Sequence, residues 1–147
     1  MSNFRDKNEI SAPVNAGSYF YKAFVAEDEN YLGAESDYAN LTITKAKTTV
    51  YITSCPTNVT YHVKKQTKLK KNKSFIVEAI TDNGKPVSYS INTPSKKIKI
   101  DAVTGKVTVG QGLKKGTYKV KVTAAFSGEQ NYEAGMETVL ITIKVKK

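Results

Sequence analysis

Gly116-Thr-Tyr118-Lys-Val120-Lys-Val122-Thr-Ala124 is the stretch that decides the fold class. Apolar side chains hold its even positions, while Lys119, Lys121 and Thr123 fill the odd ones. Side chains of a strand point alternately to its two faces, so this period of two marks a strand with one face in a core. The closing segment repeats it, with Val139, Ile141, Ile143 and Val145 facing one way and Thr142, Lys144 and Lys146 the other. Working upstream, Thr49–Ser54, Thr60–Val63, Ser74–Ile80, Val87–Ile91, Lys97–Ile100 and Lys106–Val109 read as further strands. They are bounded by the turn signals Asp82-Asn-Gly-Lys-Pro86, Thr93-Pro-Ser95 and Thr104-Gly105. Short strands at this spacing, with no stretch of helical period, predict an all-β antiparallel sandwich.

The pattern also repeats within the chain. Gly17-Ser-Tyr19-Phe-Tyr21-Lys-Ala23-Phe-Val25-Ala, then Asn30-Tyr31, then Leu41-Thr-Ile43 recurs as Gly116-Thr-Tyr118-Lys-Val120-Lys-Val122-Thr-Ala124-Ala, Asn131-Tyr132 and Ile141-Thr-Ile143. The offset is 99 residues between Gly17 and Gly116 and 100 between Ile43 and Ile143, about the length of one Ig-like sandwich of seven strands. In each copy Gly-x-Tyr opens the penultimate strand. This matches a tyrosine corner, in which the hydroxyl ties the chain back to a backbone group a few residues upstream. Gly17, Tyr19, Gly116 and Tyr118 are therefore expected to be structural, and matched Tyr31 and Tyr132 are expected to anchor loops.

Residues 48–147 have the length of a complete Ig-like sandwich, whereas 1–47 hold only a terminal β-hairpin, read as the C-terminal end of a preceding repeat. A lone hairpin is marginal in water. Its apolar side chains Tyr19, Tyr21, Val25, Leu41 and Ile43 need a cover: a strand from residues 3–11, the neighbouring sandwich, or a second chain through self-association. The joint Thr44–Val50 lacks Gly and Pro, which predicts a short, fairly stiff connection.

Composition sets what chemistry is open. The 147 residues include one Cys, one His and no Trp, with 39% hydrophobic residues. Cys55 and His62 alone can build neither a zinc site nor an internal disulfide, and no nucleophile-elbow, phosphate-loop or EF-hand spacing surrounds them. No apolar run approaches the length of a membrane span, and Met1–Lys7 has no secretory-signal pattern. Glu27-Asp28-Glu29 sits in a hairpin loop, where glycosidase chemistry would need two carboxyls across a cleft. The reading is therefore of a non-enzyme with no cofactor and no metal. A Lys–Asn amide bond beside a buried acid stays open, since no motif identifies one.

The net charge of +10 divides unevenly. Residues 1–47 carry five basic and seven acidic residues; residues 48–147 carry 18 and six, a net +12. Every basic residue of the second segment is Lys, whereas base readout favours Arg, which argues against nucleic acid. Lys99, Lys119, Lys121, Lys144 and Lys146 fall on outward strand positions, where they protect edges and keep the domain soluble. Lys64, Lys65, Lys68, Lys70, Lys71 and Lys73 crowd ten residues of a loop-rich stretch. Two readings stand for that run: a solvated connection, or a site for a polyanion.

Two sets of residues resemble known families. Asn15-Ala-Gly-Ser-Tyr19, Asp28-Glu-Asn30-Tyr31 and Leu41-Thr-Ile-Thr-Lys-Ala46 resemble the end of the MBG-type Ig-like repeats of bacterial secreted and cell-surface proteins. Ile100-Asp-Ala-Val-Thr-Gly-Lys-Val-Thr-Val109 and Lys115–Ala124 resemble bacterial Ig-like and cadherin-like repeats. The resemblance spans roughly residues 13–47 and 85–147. It implies an extracellular setting, neighbouring Ig-like repeats as partners, and a structural or adhesion role as spacer or stalk. The alternative is a module binding carbohydrate or an anionic wall polymer. No counterpart of the cadherin calcium ligands is present, and Asp101 alone cannot supply the oxygens calcium needs.

Overall fold

The computed structural model describes residues 12–65 and 67–147; the strand envisaged at residues 3–11 lies outside them. The described residues contain thirteen strands and no helix. Two compact units emerge.

Of the described residues, the first unit takes in those up to Ala46 together with Glu129–Tyr132. Strand β1 (Gly17–Tyr21) pairs antiparallel with β4 (Ala39–Ile43), setting Tyr19 opposite Leu41 and Gly17 opposite Ile43. Between them, β2 (Phe24–Val25) and β3 (Ala34–Glu35) form a second, two-residue ladder. Asn131 ties the unit together. Its side-chain oxygen accepts from the Ala16 amide at 2.7 Å, its Nδ2 donates to Asn15 Oδ1 at 3.0 Å, and its carbonyl accepts from Ala46 N at 2.8 Å. The five apolar side chains expected on one face divide. Tyr19, Leu41 and Ile43 are half-buried, whereas Tyr21 is 36% and Val25 65% exposed. The cause is the break at Lys22-Ala23, after which β2 starts a new ladder with its own facing.

The second unit, Lys47–Gly128 with Glu133–Lys147, is an Ig-like β-sandwich. One layer orders β6 (Asn58–His62), β13 (Gly135–Lys146), β12 (Gly116–Phe126) and β9 (Ser88–Asn92). The other is built from β10 (Ile98–Ile100), β11 (Lys106–Val109) and β7 (Lys73–Ile76), and from β8 (Glu78–Thr81) paired with β5 (Val50–Ser54). The expected single strand Ser74–Ile80 is thus two. It breaks at Val77, whose amide donates to Gly105 O at 3.0 Å, and the chain changes partner from β11 to β5. The sheet is also not wholly antiparallel: β6 runs parallel to β13. After β5 the chain crosses Cys55-Pro56-Thr57 to the opposite layer, arriving in the direction of β13.

Alternation becomes burial as the pattern demands. Val120 and Val122 of β12, Ile141, Ile143 and Val145 of β13, and Val107 and Val109 of β11 are at most 1% exposed, while Lys99, Lys119, Lys121, Lys144 and Lys146 face solvent. Burying each Val or Ile contributes roughly 1.5–3 kcal/mol before entropy is counted. Among the described residues the only buried polar one is Thr81, whose hydroxyl donates to Lys85 O at 2.7 Å.

The turn between β10 and β11 is organised by Asp101, whose Oδ1 accepts from Val103 N at 2.9 Å and Thr104 N at 2.8 Å. These two amides hold its carboxyl below the usual carboxylate range.

Two outcomes are expected. Ile141→Ala should cost about 2–5 kcal/mol in urea unfolding, whereas Lys121→Ala should stay within about 0.5 kcal/mol. Asp101 has a depressed folded pKa, so its contribution is complete above the unfolded carboxylate value of about 3.9 and is lost as pH falls through the folded value. The urea midpoints of wild type and Asp101→Ala should therefore differ at pH 7 and converge in acid.

Candidate functional site

The lysine run lies in the connection from β6 to β7 and is pinned rather than loose. Val63 and Leu69 are each only 5% exposed and plug into the core. Around them the run pairs with the segment before β12. Leu69 N donates to Leu113 O at 2.8 Å, Gly112 N to Leu69 O at 2.6 Å, and Lys115 N to Thr67 O at 3.1 Å; Lys68 and Lys114 form a β-bridge. Gln111 N adds a bond to Asn72 Oδ1 at 2.7 Å. Lys64 takes a left-handed conformation, φ 49°, which turns the chain out of β6 at a modest cost for a residue bearing a Cβ.

Lys64, Lys65, Lys68, Lys70, Lys71 and Lys73 are all exposed. They border two depressions. One, of about 630 Å³, is lined by Lys65, Lys68 and Lys70 with Lys97, Thr67, Leu69, Gln111 and Gly112. The other, of about 220 Å³, is lined by Lys64, Lys70, Lys71 and Lys73 with His62, Val63 and Leu69. No carboxylate and no Tyr or Phe lines either among the described residues. Lys97 joins from the turn before β10. Gly112 has φ +86°, and a Cβ there would stand 3.2 Å from Lys97 Nζ, so the ammonium rests close against bare backbone. Sequence reading missed Lys97 and the flanking Lys114-Lys115 pair. The doublets Lys96-Lys97 and Lys114-Lys115 were the available signal, but only the tertiary pairing brings them to the run.

The two Gly-x-Tyr sites share one geometry. Tyr19 donates from its hydroxyl to Asn15 O at 2.8 Å, and Tyr118 donates to Lys114 O at 2.8 Å, each four residues back. Gly17 and Gly116 have φ of 157° and 154°, a region open essentially to Gly alone. The matched loops agree too: Asp28 N donates to Tyr31 O and Glu129 N to Tyr132 O, both at 3.0 Å. Here the backbone carbonyl of Tyr31 closes the loop, while its side chain is 73% exposed and anchors nothing by burial.

Cys55 is half-buried against the core, and burial pushes its thiol pKa up, the opposite of what a nucleophile needs. Its Sγ bonds Pro56 O, while His62 Nδ1 meets Lys147 O at 3.2 Å. No group of three or more His, Cys, Asp or Glu able to hold a metal occurs among the described residues.

No protein-family model matches the sequence, and no curated protein matches it. Solved structures with similar backbones include the EC1-3 fragment of Drosophila N-cadherin, at 17% identity over 97% of this chain and 47% of that one, with a TM-score of 0.49. A putative alpha-galactosidase from Bacteroides fragilis is 17% identical over 71% of this chain and 19% of that chain, with a TM-score of 0.47. The PKD domain of human KIAA0319 is 19% identical over 71% of this chain and 87% of that one, with a TM-score of 0.39. The chain thus spans less than a fifth of the Bacteroides protein and under half of the cadherin fragment. The sandwich assignment rests on this chain's own strand pairing.

Tyr118→Phe removes one hydroxyl-to-carbonyl bond and nothing else, so it should lower stability by about 0.5–1.5 kcal/mol in urea unfolding. A shift in the urea midpoint is the readout, with the far-UV circular dichroism of the folded state unchanged.

Proposed function

We propose that this chain is a non-catalytic repeat module, a spacer or stalk segment with an adhesion role, of a bacterial extracellular surface protein. The observation that carries it is the duplicated corner: two Gly-x-Tyr sites 99 residues apart make the same four-residue hydroxyl tie at 2.8 Å. Duplication of a structural device, rather than of a reactive constellation, is what a tandem array of sandwiches requires, because each unit must fold the same way beside its neighbours. The bacterial surface setting is what the resemblance of residues 13–47 and 85–147 to Ig-like repeats of such proteins implies.

A second reading, binding of an anionic wall polymer, is favoured by the lysine-lined depressions. Its neutral-sugar form has no comparable support, because no Tyr or Phe lines them to stack on a sugar ring.

An array of neutral glycans, with a panel of chromogenic glycosides, tests the spacer reading. The whole chain is expected to give no saturable binding tighter than about 1 mM and no hydrolysis. Saturable binding or turnover on either panel overturns it.

A further inference from the structure

We propose that the two lysine-lined depressions form one track for a linear phosphate polymer, with Lys97 as a member that the run 64–73 does not contain. This deepens the anionic-polymer reading and is independent of the spacer reading.

Continuity comes from shared walls. Leu69 and Lys70 line both depressions, so the two adjoin, and no carboxylate lines either among the described residues. Lys65, Lys68 and Lys97 stand on one side of that junction and Lys64, Lys71 and Lys73 on the other. None of these lysines has a carboxylate partner among the described residues, where Lys22–Glu35 is the ion pair formed. Their charge is therefore left for solvent or a ligand.

The backbone beneath the charges is also held in place. Burial of Val63 and Leu69 and the bonds to Leu113, Gly112, Lys115 and Gln111 fix the backbone that bears them. Less ordering entropy is then lost when a ligand arrives.

The chemistry selects the class. Lysine presents a compact, strongly hydrated point charge, without the planar fork that reads carboxylates in two-point fashion. Without a lining Tyr or Phe, and with His62 in the smaller depression as the one aromatic ring, sugar rings and bases find little stacking surface. What such a track can recognise is charge repeated along a chain, and a polymer of phosphates offers that and little else. A single small anion would engage two or three of these lysines and leave the rest unused.

The test uses long-chain inorganic polyphosphate as probe and the whole chain as protein, at about 0.15 M salt. Two quadruple variants are compared: K65Q/K68Q/K70Q/K97Q in the track, and K99Q/K119Q/K121Q/K144Q on strand faces. Each removes four charges, and all eight side chains are exposed. The track variant is expected to bind at least about tenfold more weakly, with the slope of log affinity against log salt flattening by about 3. The strand variant is expected to keep its affinity within about twofold of wild type and its salt slope within about 1 of it. Equal losses in both variants would show that net charge alone binds the probe and overturn the track, as would no binding by wild type. Heparin of matched charge binding more tightly than polyphosphate would overturn the phosphate class, and single-stranded DNA of matched charge doing so would overturn recognition by repeated charge alone. Far-UV circular dichroism of both variants is expected to match wild type; should the track variant unfold, K97Q alone carries the test, with a slope flatter by about 1 expected and an unchanged slope overturning the membership of Lys97.

Discussion

The ladder between β12 and β13 is the constraint on which the sandwich depends. It runs antiparallel from Gly116 opposite Val145 to Phe126 opposite Gly135, and its register sets Val120 against Ile141 and Tyr118 against Ile143. Because side chains alternate, a slip of one residue would turn Val120, Val122 and Ala124 to solvent and Lys119 and Lys121 into the core. Burying unpaired ammonium groups costs several kcal/mol each, so the lysines specify register as strongly as the valines do. The rest of the layer is hung on this pair: β9 on the free side of β12 and β6 on the free side of β13.

What the residues made legible follows from which physical quantity each pattern encodes. Period-two alternation reports facing, and it matches the burial of Val120 and Ile141 and the exposure of Lys119 and Lys144. It does not report partners. Phe75, Val77 and Ala79 keep one facing throughout, so nothing in their spacing marks the change of partner from β11 to β5 at Val77. Direction is equally silent. Asn58–His62 alternates as any strand does, and its parallel run beside β13 follows from the crossing at Pro56. In the first unit alternation misleads in another way: it carries one facing from Tyr21 to Val25 across Lys22-Ala23, where the backbone starts a new ladder.

The two Gly-x-Tyr corners were more legible because they are local. A hydroxyl that bonds a carbonyl four residues back needs only the chain between them and a glycine whose φ an L side chain rarely adopts. The same motif therefore yields the same 2.8 Å bond in both units. The lysine depressions lie at the opposite extreme. Six of their lysines fall within ten residues of sequence, but Lys97 enters because Leu69 pairs with Leu113 and Gly110 N donates to Lys97 O at 2.7 Å, which together set Gly112 beneath its ammonium.

That pairing also separates two kinds of lysine in one domain. A lysine on an outer strand face alternates with a core residue, so its position follows from folding and its charge is spread over a broad solvated surface. The lysines of the 64–73 connection are under no such periodic demand. Thr, Ser or Asn would satisfy the same exposed loop without setting like charges beside one another, and repulsion among them opposes the compact loop at low ionic strength. The loop nonetheless spends two buried side chains, Val63 and Leu69, and its backbone hydrogen bonds on holding those charges together. In the proposed track, an anion spanning these lysines would relieve that repulsion, and more so with each phosphate brought alongside another ammonium.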